Sequence, residues 1–431
     1  MTRVIKIEKS KEVFGTVEIP GAKNSALGLV AACCLTTKPV VLTGIPNILD
    51  IKNICNIGTD IGLTIDYRDA NEMVVDSSKI HTTVLNHKLT SSFRASYYFV
   101  GSLLARFKKV EVGYPGGDDF GSRPIDQHIK GLKALGARFL FFNDYYTVEA
   151  EELKGADIFF DTITSGATIN LIMAASLAKG KTTIHNAATD PEVVDVANMI
   201  NLMGGKIRGA GTSKIIIEGV EELHGCQYQV IPDRLIAGSL LMTVGIAGGK
   251  LKLENVIPEH LDSCLNKLLE VGFEFEIDPN SITATCRKDV KGIDIITGMY
   301  PGLATDLQQP FTSLLLKIQG KSTVTDTVYP KRFAHVSELK KMGANIKVVG
   351  NKAIIQGGIP LHGETVYAKD VRAGTSLILA AMQAEGVTTI KDIAHIERGY
   401  EDAIGIFSQI GVPIWSEEEA NEPLLQNAYS N

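Results

Sequence analysis

Six times along the chain an amphipathic stretch closes on an apolar residue and a glycine, then gives way to a strand-like run. The junctions are Ile61-Gly62-Leu63, Leu135-Gly136-Ala137, Met203-Gly204-Gly205, Val271-Gly272-Phe273, Met342-Gly343-Ala344 and Ile410-Gly411-Val412. The glycines are spaced 74, 68, 68, 71 and 68 residues apart. Glycine suits a left-handed residue at a helix C-terminus because it has no Cβ to clash there, so each junction predicts a helix-to-strand turn. A second landmark keeps the same period: a small-residue helix, a Gly or Lys turn, then an alternating strand. It is clearest from Ala178 to Ile184 and from Ala384 to Ile390, with related forms beginning at Lys38, Lys108, Gly249 and Gly320. One such junction is common in any α/β protein, but six in register make a repeat of about 70 residues. Solenoid repeats are shorter and propeller blades are nearly all strand, so two α/β bodies of three units each fit best. Residues 1–11 alternate as a short strand, and the polar stretch 416–431 predicts a frayed end.

Composition narrows this further. With 431 residues, 45% of them hydrophobic and 21% charged, the chain has material for more than one core, and two large domains are expected. Its 49 acidic and 43 basic residues are spread along the whole length without a basic arm, which argues against nucleic acid. The six cysteines lack CxxC or His-flanked spacing and read as free thiols. No apolar run reaches the ~18 residues of a membrane span, and residues 1–11 lack a signal-peptide pattern. A soluble, cytoplasmic chain with no obligate protein partner is the expectation.

The candidate chemistry is anionic. Ile19-Pro20-Gly21-Ala22-Lys23-Asn24 leads into an alanine-rich helix, and a lysine at a helix N-terminus adds its charge to unpaired N–H groups. Lys23 is thus a candidate phosphate or carboxylate ligand, the alternative being a solvated lysine. Three glycines surround Asp118 and Arg123 in the loop 115–126, with Arg94 about twenty residues earlier. Such a loop suits either a lid that closes on a ligand or an ordinary surface turn. Further on come Thr305-Asp306, Arg332-Phe333, Arg372-Ala373 and His395-Ile396-Glu397-Arg398-Gly399-Tyr400. Arginine forks grip carboxylate and phosphate in a bidentate way, so several at comparable points of successive repeats suggest a polyanionic ligand between two bodies.

In this order and spacing, these motifs resemble the UDP-N-acetylglucosamine 1-carboxyvinyltransferase family of enolpyruvyl transferases, from about residue 5 to residue 415. The resemblance implies two inside-out α/β barrel domains of three repeats each, with the active site between them. It implies that residues 22–231 form one domain and that residues 1–21 join 232–431 in the other, with Pro232-Asp233-Arg234 as the second crossover. The reaction implied is transfer of the enolpyruvyl group of phosphoenolpyruvate to a UDP-sugar hydroxyl, with no metal or organic cofactor. By motif matching, Asp306 takes or orients the 3-hydroxyl proton, and Lys23, Arg123 and Arg398 hold the phosphate. Arg332 and Arg372 face the carboxylate. Asn24, Arg94, Arg123, Pro124, Ile125, Asp126, Thr164, Ser165, Gly166, Asp306 and Val328 hold the UDP-sugar.

Three departures matter. Where many family members carry a loop cysteine this chain has Asp118, which the resemblance makes the general acid, with Asp119 as a rival. The epoxide fosfomycin alkylates that thiol, so resistance to it is expected. A family tryptophan is replaced by Tyr98 and a nucleotide-contacting lysine by Thr162. An enolpyruvyl transferase with another nucleotide or sugar acceptor therefore stays open, as does a non-catalytic UDP-sugar-binding regulator.

Overall fold

The computed structural model describes residues 2–116, 124–287 and 291–419. Asp118, Asp119 and Arg123 lie outside these residues. All six junction glycines adopt positive φ, from 89° at Gly411 to 128° at Gly272. Each ends a helix and opens a strand, as at Leu49–Asp60 to Thr64–Tyr67 and Asp126–Ala134 to Arg138–Phe141. The second landmark yields Val40–Thr43, Lys109–Gly113, Lys181–His185, Gly249–Glu254, Gly320–Thr325 and Val387–Lys391.

Each of these strands belongs to a different sheet. Among the described residues five sheets have four strands and one has three. The four-stranded sheets share one pattern, three antiparallel strands with a parallel strand added at one edge. In the three-stranded sheet a single parallel bridge, Val84 to Glu111, stands where that edge strand would lie.

The chain begins in the sheets of its own C-terminal half. Thr2–Glu8 lies between Val387–Lys391 and Ile414–Glu419, and Val13–Glu18 pairs in parallel with Gly249–Glu254. The expectation of a frayed end from residue 416 is corrected here for residues 416–419. Their acidic side chains face strand partners, Lys6 to Glu417 and Glu419 and Lys391 to Glu419, so polar composition conceals a paired strand. The chain crosses over at Gly21, bridged to Pro232. A Cβ on Gly21 would lie 1.9 Å from the Gly44 carbonyl oxygen, so glycine is required there.

Two hydrophobic cores result. One gathers side chains from Ala26 to Val230; the other gathers Ile5 to Ile19 with Leu235 to Ile414. Each is built on three helices buried on nearly every face: Lys23–Ala32, Tyr98–Phe107 and Ser165–Ser176 in the first, Arg234–Ala247, Gln308–Lys317 and Val371–Ala381 in the second. Enclosure favours small and apolar residues on every face, and the polar side chains these helices do bury, such as Gln309, Ser313 and Ser376, are hydrogen-bonded between helices.

One buried acid joins this packing. Asp195, on helix Pro191–Leu202, accepts hydrogen bonds from the Ser25 hydroxyl and from the Tyr228 hydroxyl at 2.6 Å. Burial pushes its carboxyl up to about 6, against those hydrogen bonds. A folded pKa above the unfolded ~3.9 means that the fold prefers the protonated form, so stability falls as pH rises from about 4 through 6. Asp195→Asn removes this titration. Relative to wild type it should gain about 2 kcal/mol between pH 4 and pH 7, read from thermal midpoints at the two pH values.

Candidate active site

All six buried helices direct their N-terminal ends to one cleft of about 680 Å³, lined by residues of both cores. Lys23 and Asn24, Tyr98, Ser165, Arg234, and Arg372 come from the first turns of five of these helices. Asp306 comes from the one-turn helix Thr305–Leu307 that runs into the sixth. Helix N-termini carry partial positive charge and unpaired N–H groups, so the convergence biases the cleft toward anions before any side chain is considered.

On one wall Asp306 lies between two arginines. Arg332 Nη1 donates to Oδ1 at 2.6 Å and Arg372 Nε to Oδ2 at 3.2 Å. Burial pushes the Asp306 carboxyl up, but the two guanidiniums outweigh it and hold it well below the usual carboxylate range. Its contribution to stability is therefore complete above about pH 4 and erodes only in stronger acid. Arg332 and Arg372 are themselves buried, and Arg372 Nη1 has no hydrogen-bond partner among the described residues. An orphaned guanidinium donor beside an open cleft is costly unless a ligand oxygen meets it.

Two other acids hold this wall. Asp326, fully buried, accepts from Thr305 Oγ1 at 2.6 Å and from Thr297 Oγ1 at 2.9 Å, and it caps the turn at Val328 and Tyr329. Asp370 accepts from the backbone N–H groups of Arg372 and Ala373, setting the arginine's position at the start of its helix. Neither acid was selected by the sequence reading; an Asp two residues before an Arg at a helix start was the one available signal for Asp370.

Elsewhere in the cleft lining, Lys23 and Arg398 share one carboxylate. Lys23 Nζ donates to Asp50 Oδ2 at 3.1 Å and Arg398 Nε to Asp50 Oδ1 at 2.8 Å. Asp50 stands in the first turn of helix Leu49–Asp60, where an acid is ordinary, so its sequence gave no sign of a role.

A third region is aromatic. The Arg94 guanidinium lies 5.4 Å from the Tyr97 ring centre, and Tyr97 meets His128 edge-on at 4.8 Å. Gly166 leaves room for the Tyr97 hydroxyl, since a Cβ there would approach it to 2.4 Å. Burial, with Arg94 adding to it, pushes His128 down to about 3, leaving a neutral imidazole. Tyr98 is almost wholly buried and Tyr97 half-buried, and both line the cleft. Asn24, Pro124, Asp126, Thr162, Thr164, Ser165, Gly166 and Val328 also line the cleft. Ile125 instead packs against the first core. Ser165 donates to Asp190 at 2.8 Å.

Residues 7–407 match the EPSP synthase (3-phosphoshikimate 1-carboxyvinyltransferase) family. The chain belongs to the enolpyruvyl transferase family. Within it, the UDP-N-acetylglucosamine 1-carboxyvinyltransferase 2 of Staphylococcus aureus (strain MRSA252) is 47% identical over 415 residues, covering 96% of this chain and 99% of the relative. The protein of the same name from Geobacillus kaustophilus is 45% identical over 423 residues, covering 98% of each. Among solved structures, the enolpyruvyl transferase NikO from Streptomyces tendae superposes with a TM-score of 0.86 at 22% identity, over 96% of this chain and 99% of that one. EPSP synthase from Acinetobacter baumannii gives 0.74 at 17% identity, over 97% of this chain and 100% of that one. The mixed α/β fold is thus that of the enolpyruvyl transferases. No helix among the described residues of this enolpyruvyl transferase is long and apolar enough to cross a membrane.

Proposed function

We propose that the chain transfers the enolpyruvyl group of phosphoenolpyruvate to the 3-hydroxyl of UDP-N-acetylglucosamine, releasing phosphate and opening peptidoglycan precursor synthesis. The observation that carries this reading is the pair of charge clusters in one cleft: Asp306 with Arg332 and Arg372, and Asp50 with Lys23 and Arg398. A substrate with a carboxylate at one end and a phosphate at the other matches such a cleft. The 44–47% identity to relatives named for this reaction supports the acceptor.

In this reading the carboxylate of phosphoenolpyruvate meets Arg332 and Arg372, while Lys23, Arg398 and Arg123 hold its phosphate. Both forks on Asp306 face the same competitor. As substrate draws them away, Asp306 loses the charges that suppress its basicity and becomes able to take the 3-hydroxyl proton. The sugar oxygen then attacks C2 as the loop acid, Asp118, protonates C3. Return of a C3 proton to the Asp118 carboxylate and cleavage of the C2–O bond, with the leaving phosphate taking up the proton held by Asp306, restore the double bond and both side chains. Asn24, Arg94, Pro124, Asp126, Thr164, Ser165, Gly166 and Val328 hold the UDP-sugar, with Tyr97 as an additional ring surface and Ile125 packed behind them. Each hydrophobic core is the centre of a domain, residues 22–231 and residues 1–21 with 232–431, each an inside-out barrel of three repeats.

Inorganic phosphate release from phosphoenolpyruvate tests the reaction. Release should require UDP-N-acetylglucosamine and be at least tenfold slower with UDP-N-acetylgalactosamine or UMP. Because Thr162 brings no charge to the cleft, release with another nucleotide alone would reassign the acceptor. No release with any acceptor, despite binding, would leave a UDP-sugar-binding regulator.

A further inference from the structure

Asp50 is a member of the cleft that no motif announced. Its carboxylate is 2% exposed and is shared by two cations brought from chain segments far apart. Lys23 stands at the start of a helix of the first core, and Arg398 follows the short helix Ala394–Glu397 attached to the second. A second carboxylate bridges the cores in the reverse sense. Glu401 Oε2 accepts from Asn47 N at 3.2 Å and Asn71 Nδ2 at 3.3 Å. Residues 47–50 and 398–401 thus exchange acids, but only Asp50 is buried and faces the cleft.

We propose that Asp50 is a positioning residue for the phosphate-bearing end of the substrate, with two linked effects. It gathers an ammonium and a guanidinium that would otherwise repel each other. Its negative charge also limits how tightly those cations hold an anion, so that product phosphate can leave. The inference rests on reading Lys23 and Arg398 as phosphate ligands. The electrostatics give its sign: removing one buried negative charge beside two cations makes an incoming anion their main counter-ion, worth about tenfold in affinity or more at such short range.

The test titrates inorganic phosphate calorimetrically into the full chain as wild type, Asp50→Asn, Asp50→Glu and Glu401→Gln, with steady-state phosphate release measured in parallel. Asp50→Asn should bind phosphate about tenfold more tightly, with KM for phosphoenolpyruvate lowered and kcat reduced about tenfold. Asp50→Glu keeps the charge but lengthens the arm, so phosphate affinity should stay within about twofold of wild type while kcat falls. Glu401→Gln should leave phosphate affinity unchanged. A merely structural role would lower the thermal midpoint and weaken phosphate binding, and that result, or an unaltered kcat in Asp50→Asn, overturns the proposal. Should Asp50→Asn fail to fold, Asp50→Glu decides, because an unchanged kcat there is equally fatal. Wild type that releases no phosphate with any acceptor refutes the proposed reaction, while the phosphate titrations still answer for Asp50.

Discussion

Asp306→Asn should slow phosphate release by about 10³-fold while lowering KM for phosphoenolpyruvate. The change is isosteric, so the cleft keeps its shape, but two properties go together. The amide cannot accept the 3-hydroxyl proton, which removes general-base assistance worth about 10² to 10⁴ in rate. It also frees Arg332 and Arg372 from the charge that occupies them in the ligand-free protein, at 2.6 and 3.2 Å, leaving both forks available to the substrate carboxylate. A KM that rises with the fall in kcat would mean that Asp306 orders the arginines for substrate instead of competing with it. Loss of the buried counter-ion should lower the thermal midpoint as well, since breaking such a pair typically costs about 3 to 5 kcal/mol. Steady-state kinetics and a melting curve on one preparation separate these effects.

The second large effect concerns the loop. Asp118→Ala should reduce kcat by about 10² to 10⁴, and Asp119→Ala should leave it within a few-fold, if the acid is assigned to the right neighbour. Asp118→Cys should restore activity and introduce time-dependent inactivation by fosfomycin, which wild type is expected to resist. The protein's own cysteines make this a clean comparison. Burial pushes the thiols of Cys34 and Cys264 up to about 12 and those of Cys55 and Cys286 to about 11, and it raises Cys33 and Cys226 as well. None is a ready thiolate near neutral pH, so covalent inactivation would report on position 118. Progressive inactivation of wild type would sink the resistance prediction. An Asp119→Ala enzyme as impaired as Asp118→Ala is expected to be would move the acid by one residue.

The parts of the molecule legible in the sequence are those where local chemistry leaves one choice. A glycine after an amphipathic run marks a left-handed turn because other side chains meet a Cβ penalty there, and Gly62, Gly136, Gly204, Gly272, Gly343 and Gly411 all behave accordingly. Lys23 was legible as an anion ligand candidate because a cation at a helix N-terminus is chemically unusual. Asp50 and Asp326 were not, since each is an ordinary residue locally and acquires meaning only when distant segments meet. The strand Ile414–Glu419 was hidden for a related reason: its acids resemble a solvated tail until Lys6 and Lys391 are placed beside them. Tyr97 carries no signal of its own in the sequence, standing beside Tyr98 in a pair of tyrosines, and only the fold shows that both line the cleft.

The six helix ends that meet at the cleft bear on how this architecture diversifies. Their field comes from peptide groups, so no point substitution removes it, and it is inherited wherever the backbone is inherited. Structures only 17% and 22% identical retain that backbone over nearly their whole length. Attraction for a negatively charged donor can therefore persist through extensive drift, while in the proposed reading the choice of acceptor falls to replaceable side chains that line the cleft, such as Tyr97, Thr162 and Asp126. A lineage can accordingly exchange its acceptor in a few substitutions without having to rediscover how to hold an anion.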